Sequence, residues 1–285
     1  MTGSQRNGPL AILGAGVMGT GIAALALGYG VPVILVDIDD AALARAMGAV
    51  PLRIRHGRLM ETLPRGVSTP ELITTSSLKA TADAAVVVES VVELPAVKAK
   101  VLDEVSRLVA PGTPLVTNTS GIPVDELATH TAHPEDVLGA HFMNPPHLIR
   151  TVEVVRGPRT AAAALDRTLA LLTALDRNAV VVGDGPGFVV NRILQRMINE
   201  AARIVQEGLA THEEVDALFL GCLGHSTGPL ATADLIGLDN VVDSLRVLHE
   251  RTGDAGYDPC ELLLGKVAAG DCGRKSGRGF YPYEP

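Results

Sequence analysis

Aromatic side chains make up only 3% of this 285-residue chain, and tryptophan is absent. Its core must therefore be built from alanine, valine, leucine and isoleucine, which a 47% hydrophobic content supplies. Cysteine is also sparse. Cys222, Cys260 and Cys272 form no C-x-x-C pair, which excludes a disulfide framework or zinc ribbon and reads as three reduced thiols. Positive charge is in deficit: a net charge of -8 disfavours general binding to nucleic acid or an anionic membrane, while leaving room for a local basic site. No apolar run is long enough to cross a bilayer. The most apolar region, Ile22 to Val36, is too short and contains Gly28, Gly30 and Pro32. The polar stretch before Gly8 holds no signal-peptide core, so a cytoplasmic location without membrane contact is expected. His130, His133, His141 and His147 offer no H-x-x-x-H spacing and no acidic third ligand, so no metal site is expected.

What is present is ordered as strands alternating with helices, then helices alone. The pattern predicts strands at Pro9 to Leu13, Val33 to Val36, Ala85 to Val88, Pro114 to Thr117, Val137 to Phe142, Thr151 to Val155 and Ala179 to Val182. Helices are expected at Val17 to Tyr29, from Asp40 with an interruption near Gly48 and Pro51, over Leu52 to Leu63, after Pro95, and over Ala161 to Leu175. At Gly183 the character changes, and the remainder reads as helical. The expected fold class is α/β: a Rossmann-type doubly wound sheet over residues 1–184, then an all-α C-terminal domain over residues 185–285.

The first strand runs directly into Gly14-x-Gly16-x-x-Gly19. Gly14 allows a tight turn, Gly16 lets a pyrophosphate approach the backbone, and Gly19 lets helix and strand pack closely. Asp37 ends the second strand, placed to accept from ribose hydroxyls and to repel a 2′-phosphate, which favours NAD over NADP. The other reading of Asp37 is a helix cap, a role that Asp39 or Asp40 also fits. Glu89 and Glu93 lie at or beyond a strand's carboxyl end, with Lys98 able to pair with either. A solvated helix-start cluster and a cofactor contact are equally open there. Asn118, Thr119 and Ser120 end another strand, where small polar groups hold a substrate oxygen or simply make a turn.

His141 ends a short apolar run, and Glu153, bracketed by Val152 and Val154, is the only charge in the strand-like run Thr151 to Val155. A buried carboxylate needs a partner, and a histidine turned toward it has the fixed tautomer that proton transfer requires. Together with the glycine loop, these features point to a nicotinamide cofactor and a histidine that moves a proton. Asn191 shares a helical stripe with Leu194, Ile198, Ala201 and Val205, so it is either a group aimed at the interdomain cleft or an amide tied to backbone. Gly224 to Gly228 matches the G-x-S-x-G nucleophile elbow, but helix-like residues precede Ser226 and Pro229 follows at once, so a turn between helices is expected.

Seven segments carry a resemblance: Gly14 to Ala23, Val88 to Glu93, Asn118 to Ser120, His141 to Pro145, Val152 to Val155, Gly187 to Arg192 and Lys275 to Tyr281. In order and spacing they are similar to the L-3-hydroxyacyl-CoA dehydrogenases, most of all the short bacterial 3-hydroxybutyryl-CoA type. That resemblance implies His141 as catalytic acid and base with Glu153 as its partner, and Ser120 and Asn191 holding the substrate. It implies Gly14, Ala15, Gly16, Val17, Met18, Gly19, Asp37, Glu93, Lys98, Ser120, Asn144 and Lys275 as the NAD site, and a homodimer built largely by the helical domain. The implied substrate is an acyl-CoA, with an acyl-carrier-protein thioester or a polar 3-hydroxy acid as the alternative; a non-catalytic NAD(H)-binding protein is a further alternative, against which the His141–Glu153 pair and Asn191 argue. Three departures bear on that choice: arginines 53, 55, 58 and 65 stand where lysines are common, Pro145 to Arg150 is an unusual loop, and His225-Ser-Thr-Gly-Pro229 replaces the usual Pro-Met-Gly-Pro. A 6-phosphogluconate-type dehydrogenase would need a catalytic lysine, and none lies between Lys100 and Lys266.

Overall fold

The structure, a computed structural model, describes residues 8–284. The polar N-terminal stretch discussed above falls almost wholly outside them. The chain divides into two compact units, the first ending at Phe188 and the second beginning at Val189.

In the first unit the elements run β1 (Leu10–Leu13), α1 (Val17–Gly28), β2 (Val33–Val36), α2 (Asp40–Leu59), β3 (Leu72–Thr75), β4 (Val86–Glu89), α3 (Pro95–Ser106), β5 (Leu115–Thr117), α4 (Val124–Ala128), β6 (Val137–Phe142), β7 (Thr151–Arg156), α5 (Ala162–Ala174) and β8 (Asn178–Gly183). The strands form one sheet in the order β3-β2-β1-β4-β5-β6-β7-β8. Pairing is parallel except between β6 and β7. The order reverses between β1 and β4, the switch point where open α/β sheets bind ligands at their carboxyl ends.

Alternation along β1 explains the layering. Leu10 and Ile12 face a core shared with α1, α2 and α5, whereas Ala11 and Leu13 face one shared with α3 and α4. Helix α1 is buried nearly all round, which its run of Gly, Ala, Ile and Leu permits.

Two expectations are corrected here. Helix α2 is continuous from Asp40 to Leu59, with Pro51 inside it. Proline removes the N–H that would bond the Met47 carbonyl, and Met47 and Pro51 lie on the exposed side where water can take that bond. The edge strand β3 was not anticipated. It is four residues long and half-exposed, so it lacks the apolar run of a buried strand.

The second unit contains α6 (Val190–Gln206), α7 (His212–Leu223), α8 (Pro229–Ile236), α9 (Leu238–Thr252) and α10 (Glu261–Ala268). Ile198, Ala202, Leu230, Leu238, Leu245 and Leu263 are at its core. Buried polar side chains tie it together. Asp216 caps α8, accepting from the Leu230 and Ala231 N–H groups at 2.9 and 2.8 Å. Asp234 accepts from the Phe280 and Tyr281 N–H groups, both at 2.9 Å, fixing the C-terminal segment.

Candidate active site

The turn from β1 to α1 is shaped by glycine. Gly14 has φ +102°, and a Cβ there would lie 2.4 Å from the Ser90 carbonyl oxygen. A Cβ on Gly19 would lie 1.8 Å from the Gly14 carbonyl oxygen, so only glycine lets α1 seat so close to the loop. Around Gly16, by contrast, nothing lies within 4 Å of an added Cβ. Gly16 is the N-cap of α1, no side chain caps that end, and no acidic residue occupies its first turn. An uncapped helix start behind an open glycine suits a pyrophosphate.

Asp37 follows β2 and its Oδ2 accepts from the Ala15 N–H at 2.6 Å. Its Oδ1 accepts from the Asp39 N–H at 2.9 Å, while Asp39 itself caps α2 by accepting from the Ala41 N–H at 2.9 Å. The two readings of Asp37 are thereby separated: Asp39 is the cap, and Asp37 is bonded to the glycine loop. The loop, the helix start and the carboxylate together fit a dinucleotide with free ribose hydroxyls.

Beyond β4 and β5, Glu93 gathers the next residues. Its Oε1 accepts from the Thr119 hydroxyl at 2.5 Å, the Ser120 N–H at 2.8 Å and the Ser120 hydroxyl at 3.2 Å. Burial opposes ionisation of Glu93, but Lys98 at 3.1 Å and these hydrogen bonds outweigh it and hold its carboxyl below the usual range. Lys98 is only 1% exposed, so its ammonium serves the carboxylates around it instead of lying open at the surface. Glu89 is buried against Lys98 too, which corrects the solvated-cluster reading: β4 runs one residue further than expected and takes Glu89 into the sheet. Asn118 joins the strand ends, its Oδ1 accepting from the Phe142 N–H at 3.0 Å.

His141 and Glu153 face each other directly across the antiparallel β6–β7 ladder. His141 Nδ1 lies 3.0 Å from Glu153 Oε2, and both side chains are buried. A carboxylate at Nδ1 fixes the tautomer with its proton there and leaves Nε2 as the proton-exchanging nitrogen. The Phe188 ring lies 6.2 Å away, centroid to centroid, so the imidazole has an apolar neighbour on one side.

Past β6, Asn144 is exposed and precedes Pro145 through a cis bond. The loop then turns inward at His147. Its Nε2 is 3.4 Å from His56 Nδ1 on α2, and its carbonyl accepts from the Thr62 hydroxyl at 2.8 Å. Pro146 lies over α1, where a Cβ on Gly21 would come within 2.8 Å of it.

In the second unit, Asn191 lies in the first turn of α6, partly buried. The Lys275 ammonium is 2.5 Å from Asp239 Oδ2. Ser226 lies between α7 and α8, after Gly224 in the left-handed region and before Gly228, which caps α8. That is a turn between helices, without the strand an elbow needs. Residues missed by sequence reasoning include Thr117, Asn199 and Gln195. Gln195 and Asn199 left a signal, as amides on the buried side of α6; Asn199 bonds the Asp258 carbonyl and the Cys260 N–H at 2.8 and 3.0 Å.

Comparison with known proteins agrees along the chain. Residues 9–185 match the family description "3-hydroxyacyl-CoA dehydrogenase, NAD binding domain", and residues 187–283 match "3-hydroxyacyl-CoA dehydrogenase, C-terminal domain". A probable 3-hydroxybutyryl-CoA dehydrogenase of Bacillus subtilis is 39% identical over 277 residues, covering 96% of each chain. The 3-hydroxybutyryl-CoA dehydrogenase of Bradyrhizobium diazoefficiens is 37% identical over 280 residues, covering 95% of this chain and 94% of that one. Among solved structures, the (S)-3-hydroxybutyryl-CoA dehydrogenase of Ralstonia eutropha superposes with a TM-score of 0.90 at 35% identity, over 99% of this chain and 100% of that one.

Proposed function

The chain belongs to the 3-hydroxyacyl-CoA dehydrogenase family, and from that premise we propose that it interconverts an L-3-hydroxyacyl-CoA of the 3-hydroxybutyryl type and its 3-ketoacyl-CoA with NAD. The observation that carries this reading is the His141–Glu153 pair, set across a strand pair beside the ends of a dinucleotide-type sheet.

His141 Nε2 takes the hydroxyl proton during oxidation and returns it during ketone reduction. Glu153, held 3.0 Å from Nδ1, balances the imidazolium that forms. Hydride transfer to or from the carbinol carbon is the chemistry that NAD would supply when bound. Gly14, Ala15, Gly16, Val17, Met18 and Gly19 would hold its pyrophosphate, and Asp37 would accept from its ribose hydroxyls. Glu93, Lys98, Ser120, Asn144 and Lys275 would join them in holding the cofactor. Ser120 also binds the substrate oxygen, and Asn191 positions the thioester.

Residues 1–184 form the NAD-binding domain in this reading, and residues 185–285 the substrate and dimerisation domain. Exposed apolar residues on α6 and α7 and between them, among them Ile193, Leu209 and Leu223, support a homodimer. The three unpaired thiols support a cytoplasmic location, and among the described residues no helix is long and apolar enough to cross a membrane.

The test is NADH oxidation on adding acetoacetyl-CoA. His141→Ala should reduce kcat by about 100-fold or more, the usual scale of general acid–base effects, with NADH affinity retained. Full turnover by a folded His141→Ala protein would refute the assignment. Turnover of a carrier-protein thioester but not the CoA thioester would move the substrate to the carrier.

A further inference from the structure

Glu89, the innermost of three linked side chains behind Ser120, with Lys98 and Glu93, has no part in the proposed reaction. It is the last residue of β4, is 0% exposed, and is flanked in the sheet by Leu13 of β1 and Thr117 of β5. A carboxylate in that position is costly to bury without a complete set of partners. It has one: Oε1 accepts from the Lys98 ammonium at 2.7 Å and the Val91 N–H at 2.8 Å, and Oε2 from the Thr117 hydroxyl at 2.7 Å. The Thr117 hydroxyl also accepts from the Thr119 N–H at 3.3 Å, so it joins Glu89 to the strand end that carries Ser120.

The same ammonium reaches outward to Glu93 Oε2 at 3.1 Å, and the opposite oxygen of Glu93 takes both the N–H and the hydroxyl of Ser120. The chain of contacts runs from the sheet interior to the surface without a gap. Its inner end is rigid, because Glu89 and Thr117 are both within the strand ladder. Its outer end is the side chain of Glu93, 43% exposed, on the segment between β4 and α3. Without Glu89, the buried Lys98 would keep only the outer carboxylate and a long contact to the Val91 carbonyl at 3.4 Å, and Glu93 would lose its link to the strand ladder through the ammonium.

We propose that Glu89 is a positioning residue for Ser120: with Thr117 it clamps the Lys98 ammonium, which fixes Glu93 and, through Glu93, the hydroxyl and amide of Ser120. The inference rests on the role given to Ser120 above. It also distinguishes the two carboxylates that share Lys98, one anchoring the ammonium and the other presenting it to the site.

The experiment is a double-mutant cycle on the full-length protein, with Glu89→Gln, Ser120→Ala and the combination. Thr117→Val and Thr117→Ser accompany it, and folding is checked by circular dichroism. Two readouts are taken: kcat with NADH and acetoacetyl-CoA, and NADH affinity by fluorescence titration. Glu89→Gln should lower kcat by about tenfold or more, and the double variant should fall no further than Ser120→Ala alone. Thr117→Val should follow Glu89→Gln, while Thr117→Ser, which keeps the hydroxyl, should restore near-normal turnover. Multiplying losses in the double variant would overturn the proposal, as would unchanged kcat and NADH affinity in both Glu89→Gln and Thr117→Val. Wild-type affinity and turnover in Ser120→Ala would overturn it too. If Glu89→Gln fails to fold, Thr117→Val takes its place in the cycle. Should the wild-type protein turn over no acyl-CoA, the functional reading fails by itself. The cycle is then decided on NADH affinity, where additivity overturns the positioning role and non-additivity supports it.

Discussion

Acid should destabilise this protein through one imidazole in particular. His147 is 4% exposed, and its Nδ1 is buried without a hydrogen-bond partner. Burial, then the positive charges of Arg53, His56 and Arg177 facing it, push its pKa from 6.5 down to about 4. The unfolded chain therefore takes up a proton near pH 6.5 that the folded chain refuses until about pH 4. The folded pKa is depressed, so the stability is fully present above pH 6.5 and drains away as pH falls toward 4. At about 1.4 kcal/mol per pH unit, going from pH 7 to 5 removes about 2 kcal/mol, and going to pH 4 about 3 kcal/mol. With no tryptophan in the chain, urea unfolding is best followed by circular dichroism. Wild type and His147→Leu are compared at several pH values. Any constant cost of the substitution cancels in the slope, and the variant should lose about 2 kcal/mol less than wild type between pH 7 and 5. Parallel slopes for the two proteins would refute the reasoning.

The glycine loop and the carboxylate beside it give two further predictions. Gly19→Ala forces a Cβ to within 1.8 Å of the Gly14 carbonyl oxygen; we expect about 1–3 kcal/mol of destabilisation and at least tenfold weaker NADH binding, on the order of one lost charge-assisted contact. Unchanged urea midpoint and affinity would contradict it. Asp37→Asn removes the charge that accepts from the Ala15 N–H at 2.6 Å and should raise the NADPH-to-NADH ratio of kcat/KM by about tenfold, because a 2′-phosphate is no longer repelled. A ratio that stays put would sink the ribose assignment.

The cofactor half of the molecule was legible because its signals are local. Gly14, Gly16 and Gly19 announce their turn within six residues, and Asp37 closes the next strand. The partnership of His141 and Glu153 was legible for a different reason: a lone acid between valines needs a partner, and the pleat puts both on one face. What remained hidden depends on distant contacts. Glu89 read equally well as a solvated charge, because nothing in the sequence shows that Lys98 turns back beneath it. Pro51 looked like a helix break, since the cost of its missing N–H depends on solvent access that only the folded surface reveals. The half-exposed residues of β3 give no period to read, and their pairing with Val33 to Val36 supplies what their composition lacks.

The antiparallel junction between β6 and β7 has a consequence for how such a protein can be altered. Strands running opposite ways can be joined by a loop of almost any length, whereas the register of the ladder is set by the strands themselves. Residues 145–150 thus form an alterable stretch slung between two fixed posts, with Asn144 of the proposed NAD site kept in front of it. A graft there can reshape the mouth of the site and forfeit whatever His147 contributes to stability, while His141 and Glu153 keep their places opposite each other. Inserting one residue within β7 does the reverse: it turns Glu153 to the far side of the sheet, leaving the mouth intact around an imidazole that has lost its counter-charge.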